Sequence, residues 1–220
     1  MTKWLFFDLG NTLYDETYSD LERVTALLGK AAPSISVPDF LAQMKAGAAA
    51  YAPSPFQYAR KHFAIPCDEP YSTDKEALFE GVPELLKALR ERYRLAVLAN
   101  QPSSTAERLK RDGIYGYFDI CLLSETEGLS KPDPAFFAYA VEKAGCSPTS
   151  ITMIGDRLDN DIYPAKMAGM KTIRIRQGLS AVQEPISDEY RPDATVSSLG
   201  ELKALLLDRI SPYTWHTGHP

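Results

Sequence analysis

Cysteine is scarce in this chain, and its few copies are poorly placed for metal or disulfide chemistry. The 220 residues include three cysteines, Cys67, Cys121 and Cys146. They are odd in number and far apart, whereas zinc sites and redox motifs require close pairs. We therefore interpret all three as structural residues.

An excess of positive charge is also missing, as are long apolar runs. The formal net charge is -5, so nucleic acid is not an expected partner, and an anionic ligand must be held by local charges or by a bound cation. No stretch is long enough to cross a bilayer, and the first residues do not resemble a secretion signal. With 45% hydrophobic and 24% charged residues, the expectation is a cytoplasmic globular protein without a membrane partner.

What the sequence does contain is an alternation of short apolar runs and helical patterns. Several of the runs are apolar at every position, which is typical of strands buried on both faces of a parallel sheet. Strands that alternate with helices predict an α/β fold with a doubly wound parallel sheet, whose ligands bind beyond the carboxyl ends of the strands. The predicted strands are residues 4–9, 95–99, 120–123, 151–154 and 172–175.

One region interrupts this rhythm. Residues 16–79 show no convincing buried strand but contain three helical stretches and many aromatic side chains. We interpret this region as an inserted helical domain, with residues 1–15 and 80–210 forming the α/β core. Residues 211–220, which include His216 and His219, lack apolar periodicity and are expected to be a loose tail rather than a metal site.

Polar residues follow the apolar runs at four places. Asp8, Asn100 and Asp156 come directly after predicted strands, and Lys131 follows another within a loop. Each could simply cap a helix, but a doubly wound sheet would bring all four together. Two carboxylates beside one lysine predict a site for a hard cation such as Mg²⁺ that faces a phosphate.

These residues belong to segments that resemble the haloacid dehalogenase superfamily. Four motifs occur in the family's order and span nearly the whole chain, and the helical insertion matches the family's α-helical cap. The third and fourth motifs are the most specific. The four segments are FDLGNTL at residues 7–13, LAN at 98–100, SKPDP at 130–134 and GDRLDND at 155–161.

The resemblance implies a nucleophile and a metal site. Asp8 would attack phosphorus and become an aspartyl phosphate, which water then hydrolyses. Mg²⁺ would be held by the Asp8 carboxylate, the Gly10 carbonyl and Asp156, with Asp161 holding a coordinated water.

It also implies how the phosphoryl group is bound. Lys131 would offset negative charge on the nucleophile and on the phosphoryl group, which suits a transition state with charge spread over several oxygens. Thr12 and Asn100 would donate hydrogen bonds to the phosphoryl oxygens. The expected partner is a small phosphorylated substrate, and the sequence carries no signal for its identity or for oligomeric state.

Two positions depart from the family's phosphatases. Gly10 stands where a second aspartate serves as general acid and base, and Ala99 stands where a hydroxyl residue usually precedes Asn100. The missing acid predicts that the rate depends steeply on the pKa of the leaving group. Asp15, Glu16 or a cap residue such as His62 are candidates to replace it, and the sequence does not choose among them.

The magnitudes favour an enzyme in spite of these losses. General acid–base help is worth ~10²–10⁴ in rate, and a hydrogen bond to a charged group about 1.5–3 kcal/mol. Phosphate-monoester hydrolysis can be accelerated by ~10²¹, so nucleophile, metal and lysine leave room for catalysis.

The sequence therefore leaves three hypotheses about function. The preferred one is a Mg²⁺-dependent phosphatase of a small phosphorylated metabolite. The alternative is a weak or inactive relative that binds Mg²⁺ and a phosphorylated ligand. A dehalogenase proper, which needs no metal, is disfavoured because Asp156 and Asp161 without a cation would repel both the nucleophile and an anionic substrate.

Overall fold

Within residues 3–208, the fold is built on eight strands, six of which form one sheet. A computed structural model describes residues 3–208; the expected tail at residues 211–220 lies outside this range. The strands are β1 (Trp4–Phe7), β2 (Tyr14–Asp15), β3 (Ala77–Leu78), β4 (Arg94–Ala99), β5 (Ile120–Leu123), β6 (Ile151–Gly155), β7 (Lys171–Ile175) and β8 (Ala194–Val196).

The main sheet is entirely parallel, in the order β5-β4-β1-β6-β7-β8. Its central strand β1 lies between β4 and β6, so that Phe7 pairs with Val97 on one side and with Ile154 on the other. Strands β1 and β6 are buried at every residue, as their uniformly apolar sequences require. The predicted doubly wound α/β fold is confirmed.

Helices connect the strands and cover both faces of the sheet. Several begin at the residue types expected to cap a helix: the side chains of Ser36, Ser54, Asp133 and Ser198 each accept a backbone N–H of the first turn. No described helix is long and apolar enough to span a membrane. The helices are α1 (Thr17–Ala31), α2 (Val37–Ala49), α3 (Pro55–His62), α4 (Val82–Arg90), α5 (Thr105–Arg111), α6 (Ser124–Glu127), α7 (Pro134–Ala144), α8 (Tyr163–Met167) and α9 (Leu199–Leu207).

The three helical stretches expected between residues 16 and 79 are α1, α2 and α3. They share a hydrophobic cluster of their own, separate from the two clusters that cover the faces of the sheet. We propose that they form the cap domain. Fully buried members of their cluster are Val24, Leu27, Phe40 and Ala59.

A two-stranded antiparallel ribbon joins these helices to the sheet, and the sequence did not predict it. Tyr14 of β2 pairs with Leu78 of β3, and Asp15 pairs with Ala77. The ribbon therefore brings the two ends of the inserted region together. The chain leaves the sheet towards α1 and returns to it before α4 at the same place.

Candidate active site

The residues expected at strand ends meet at one edge of the sheet. Asp8, Asn100 and Asp156 directly follow β1, β4 and β6, which are neighbours in the sheet, and Lys131 reaches them from the loop that precedes α7. Together they line a cavity of about 500 Å³ between the sheet and the cap helices. Its wall on the cap side includes Asp20, Arg23, Met44, Phe56 and Tyr71.

Lys131 is the central cation of the site. Its Nζ donates hydrogen bonds to Oδ1 of Asp8 at 2.8 Å and to Oδ1 of Asp161 at 2.5 Å. Burial alone would lower the pKa of this lysine, but the carboxylates of Asp161 and Asp8 raise it above its ordinary value. The side chain is 2% exposed, so Lys131 is a fixed positive charge at the nucleophile.

Asn100 holds the backbone of Lys131 in place. Its Nδ2 donates to the Lys131 carbonyl at 2.7 Å, and its Oδ1 accepts the Lys131 backbone N–H at 2.8 Å. One of the two amide hydrogens of Asn100 is therefore already engaged. The side chain still lines the cavity, so the second hydrogen can face a ligand.

Three carboxylates form a compact cluster around this lysine. One oxygen from each of Asp8, Asp156 and Asp161 lies within 4.8 Å of the others. Burial and the charges of Asp161 and Asp8 raise the pKa of Asp156 well above its ordinary value. Within residues 3–208, Asp156 has no basic side chain at ion-pairing distance.

This arrangement fits a divalent cation. Asp8 and Asp161 share the charge of Lys131, whereas the buried Asp156 carboxylate has no such partner. A cation that prefers oxygen ligands would remove the repulsion among the three acids. Gly10, whose carbonyl is the fourth expected ligand, also lines the cavity.

The close approach of Asp161 depends on a glycine. A Cβ placed on Gly155 would lie 2.4 Å from Cγ of Asp161, so a larger residue would displace the Asp161 side chain. Asp161 is further held by the backbone N–H of Arg157, which donates to its Oδ2 at 3.0 Å. A single π-helical turn, Leu158–Ile162, carries Asp161 back towards the end of β6.

Thr12 lies in the turn that follows Asp8 but is not part of the cavity wall. Its side chain is fully buried, and its Oγ1 has no hydrogen-bond partner within the described part of the chain. An unpaired buried hydroxyl is unusual, and it leaves this donor free for a group that enters the site.

Glu16 is the least expected member of the site. It is partly buried, lines the cavity, and accepts a hydrogen bond from Nδ2 of Asn11 at 2.8 Å. Burial and the nearby acids Glu76 and Asp20 raise its pKa well above the ordinary value. The sequence offered it only as one of three candidates for a missing acid.

Sequence reasoning also missed the contacts of two arginines, Arg157 and Arg23, that line the cavity. The guanidinium of Arg157 donates to the carbonyl oxygens of Ala52 and Pro53, both at 3.3 Å. Between two of the cap helices, the guanidinium carbon of Arg23 in α1 lies 3.6 Å from the ring centroid of Phe56 in α3. Both arginines look like ordinary solvated charges in the sequence, so no local signal marks them.

The site thus combines a parallel α/β sheet with one lysine and three clustered acids near the carboxyl ends of its strands. The family model of haloacid dehalogenase-like hydrolases matches residues 2–169. The chain belongs to this family.

Curated relatives of this chain include phosphatases. A glyceraldehyde 3-phosphate phosphatase of Methanocaldococcus jannaschii is 38% identical over 137 residues, which cover 60% of this chain and 59% of that protein. One from Pyrococcus abyssi is 31% identical over 198 residues, covering 81% and 83%. The chain thus spans little more than half of the first relative.

Solved structures share the fold. A HAD hydrolase from Bacillus subtilis, YfnB, solved with bound magnesium, superposes with a TM-score of 0.70 at 21% identity, covering 94% of this chain and 99% of that one. At this identity the likeness establishes the fold alone.

Proposed function

We propose that this chain is a Mg²⁺-dependent phosphatase that hydrolyses a small phosphorylated metabolite through an aspartyl phosphate on Asp8. The observation that carries the proposal is the position of Lys131, whose Nζ contacts both Asp8 and Asp161 at the floor of the cavity.

Asp8 is suited to act as the nucleophile. It is the most exposed of the three clustered acids, with a side chain that is 15% exposed, and one of its oxygens is held by Lys131. The other oxygen is free to attack phosphorus in line. Attack by a carboxylate splits a difficult hydrolysis into two displacements at phosphorus.

Asp8, Asp156, Asp161 and the carbonyl of Gly10 would hold the metal. When bound, Mg²⁺ would draw a phosphoryl oxygen towards Asp8 and neutralise negative charge that develops there. Its absence would leave three neighbouring carboxylates facing an anionic substrate, which is unfavourable. The same argument disfavours a metal-free dehalogenase.

Lys131, Asn100 and Thr12 would bind the phosphoryl group. Lys131 supplies a buried positive charge beside the nucleophile. Asn100 keeps Lys131 in place through two backbone hydrogen bonds and has one N–H left for an oxygen of the phosphoryl group. The unpaired hydroxyl of Thr12 supplies a further donor.

The size and lining of the cavity favour a small polar substrate. Its volume of about 500 Å³ is typical of small-molecule sites. The cap side offers both a guanidinium, Arg23, and a carboxylate, Asp20, which suits hydroxyl or carbonyl groups. The archaeal relatives are named as phosphatases of glyceraldehyde 3-phosphate, a three-carbon phosphate. Three-carbon phosphates are therefore the first substrates to test.

A weak or inactive phosphate-binding relative is the second candidate, and Gly10 and Ala99 are the observations that favour it. The two candidates differ in turnover. Purified protein with Mg²⁺ should release phosphate from p-nitrophenyl phosphate and from a panel of small phosphorylated metabolites. Asp8→Asn should abolish release, while Asp74→Asn, at an exposed residue outside the cavity, should not change it.

The outcome separates the candidates clearly. Phosphate release by the wild type but not by Asp8→Asn supports the phosphatase. If the wild type is as silent as Asp8→Asn over the whole panel but still binds a phosphate mimic such as vanadate, the binding-only relative is correct.

A further inference from the structure

The space that a side chain at position 10 would occupy is filled by Glu16. A Cβ placed on Gly10 would lie 2.1 Å from Oε1 of Glu16 and 2.7 Å from its Cδ. The backbone of Gly10 is not left-handed, so it does not itself forbid a side chain. The carboxyl group of Glu16 therefore stands where a residue two positions after Asp8 would begin its side chain.

The side chain of Glu16 does not cap helix α1. It occupies the N-cap position of α1, but its side chain makes no capping hydrogen bond. Instead, Nδ2 of Asn11 donates to its Oε2 at 2.8 Å, and Oε1 is the oxygen that faces Gly10. The residue type is a poor N-cap, so the position is not explained by helix stability.

The local backbone keeps Asn11 in contact with Glu16. Asn11 has a left-handed backbone, with φ of 51°. Its side chain fits against Gly178, where a Cβ would lie 2.2 Å from Cγ of Asn11. Asn11 is thereby fixed, and it in turn fixes Glu16.

The other candidates for an acid are placed elsewhere. Asp15 is absent from the cavity wall and accepts the backbone N–H of Thr17. His62 is exposed at the end of α3, also outside the wall. Glu16 and Asp8 line the same cavity, next to Gly10.

We propose that Glu16 transfers the proton in this reaction, in place of the side chain that Gly10 lacks. This inference rests on the proposed phosphatase function. In the first step an oxygen of Asp8 bonds to phosphorus, the bond from phosphorus to the leaving oxygen breaks, and that oxygen takes the proton of Glu16 and departs as an alcohol.

In the second step Glu16 acts as the base. Its carboxylate takes a proton from water while the water oxygen bonds to phosphorus. The bond between phosphorus and Asp8 breaks, which releases inorganic phosphate and restores both the Asp8 carboxylate and the protonated Glu16. The net reaction is hydrolysis of one phosphate ester.

The leaving-group dependence of kcat/KM tests this role, because kcat/KM reports the steps up to departure of the leaving group. With Glu16 in place, alkyl and aryl phosphates should differ little. Glu16→Gln keeps the shape and the contact with Asn11 but has no proton to give. It should lose ~10²–10⁴-fold on alkyl phosphates and less than about tenfold on p-nitrophenyl phosphate, so that the steep dependence appears only in the variant.

A double substitution tests the shared space. Gly10→Asp alone should lose activity, because its Cβ would collide with Glu16, and Glu16→Ala alone should lose activity on alkyl phosphates. The double variant, Gly10→Asp with Glu16→Ala, should have at least tenfold higher activity on alkyl phosphates than Glu16→Ala alone. Glu91→Gln, at an exposed residue at the end of α4 and outside the cavity wall, is the matched control.

Two results would overturn the proposal. One is an equal loss for all leaving groups in Glu16→Gln, which would mean that Glu16 only supports the structure. The other is no loss at all. In both cases the wild type would still hydrolyse p-nitrophenyl phosphate, and this activity would still depend on Asp8. If the phosphatase function itself is wrong, the wild type would not hydrolyse p-nitrophenyl phosphate at all.

Discussion

The Nζ of Lys131 lies 2.8 Å from Oδ1 of Asp8, although Asp8 follows β1 and Lys131 lies in the loop before α7. The same nitrogen contacts Asp161, so a single buried cation links the nucleophile to the acidic cluster. The positive charge of Lys131 therefore offsets the negative charges of both Asp8 and Asp161.

Replacing Lys131 should destabilise the protein and remove activity. Lys131→Ala leaves Asp8 and Asp161 buried without their counter-charge, and breaking a buried pair in this way costs about 3–5 kcal/mol. Burial raises the pKa of Asp161 and the charge of Lys131 lowers it, so losing the lysine raises that pKa further and the loss should be larger at pH 8 than at pH 5. Urea unfolding without Mg²⁺ measures it, with the exposed Lys203→Ala as control. A loss below about 1 kcal/mol at both pH values would show that the pair is not important.

Asp156→Asn should have opposite effects with and without metal. In the absence of Mg²⁺ the variant should be at least as stable as the wild type, because burial and neighbouring acids disfavour the Asp156 carboxylate and raise its pKa. Saturating Mg²⁺ should stabilise the wild type by ~2.7 kcal/mol at a hundred times its Kd and the variant hardly at all. Thermal melts at several Mg²⁺ concentrations measure both effects. Equal Mg²⁺ stabilisation of the two proteins would place the metal elsewhere.

Two glycine-to-alanine substitutions should change the free energy of unfolding in opposite directions. Gly155→Ala puts a Cβ 2.4 Å from Cγ of Asp161, which should displace that acid, lower the free energy of unfolding by about 1–3 kcal/mol and reduce turnover. Gly29→Ala, in the last turn of α1 with open space around the new Cβ, should raise the free energy of unfolding by roughly 0.5–1 kcal/mol. Chemical denaturation of both variants provides the comparison. A neutral Gly155→Ala would mean that Asp161 is not tightly held.

Asp20 should make stability depend on pH. Burial raises its pKa from 3.8 to about 6, so the folded state binds this proton more tightly than the unfolded state, and stability is lost as pH rises through 6. Asp20→Asn removes the penalty, so its advantage over the wild type should be about 1 kcal/mol larger at pH 8 than at pH 5. Urea unfolding at the two pH values tests this, and an advantage that is equal at both would exclude a raised pKa.

The sequence predicted the parts of the fold that depend on long apolar runs. The five predicted strands are present, and the sixth, β8, was missed because it has three residues at the edge of the sheet and an exposed Thr195 at its centre. The ribbon of β2 and β3 was missed because each strand has two residues and they pair across the whole inserted region.

The same distinction applies to the site. Strand order alone brings Asp8, Asn100 and Asp156 together, so their convergence could be predicted from sequence. The position of Glu16 could not, because it depends on how the turn after Asp8 folds back through the left-handed Asn11. Only in the folded chain does the carboxyl group of Glu16 come to occupy the space next to Gly10.

The stereochemistry at phosphorus tests the role of Asp8 most directly. Each in-line displacement inverts the configuration, so a thiophosphate ester made chiral with oxygen isotopes reports how many displacements occur. Two displacements, first by Asp8 and then by water, predict net retention in the released thiophosphate. Net inversion would mean that water attacks the substrate directly, and would contradict an intermediate on Asp8.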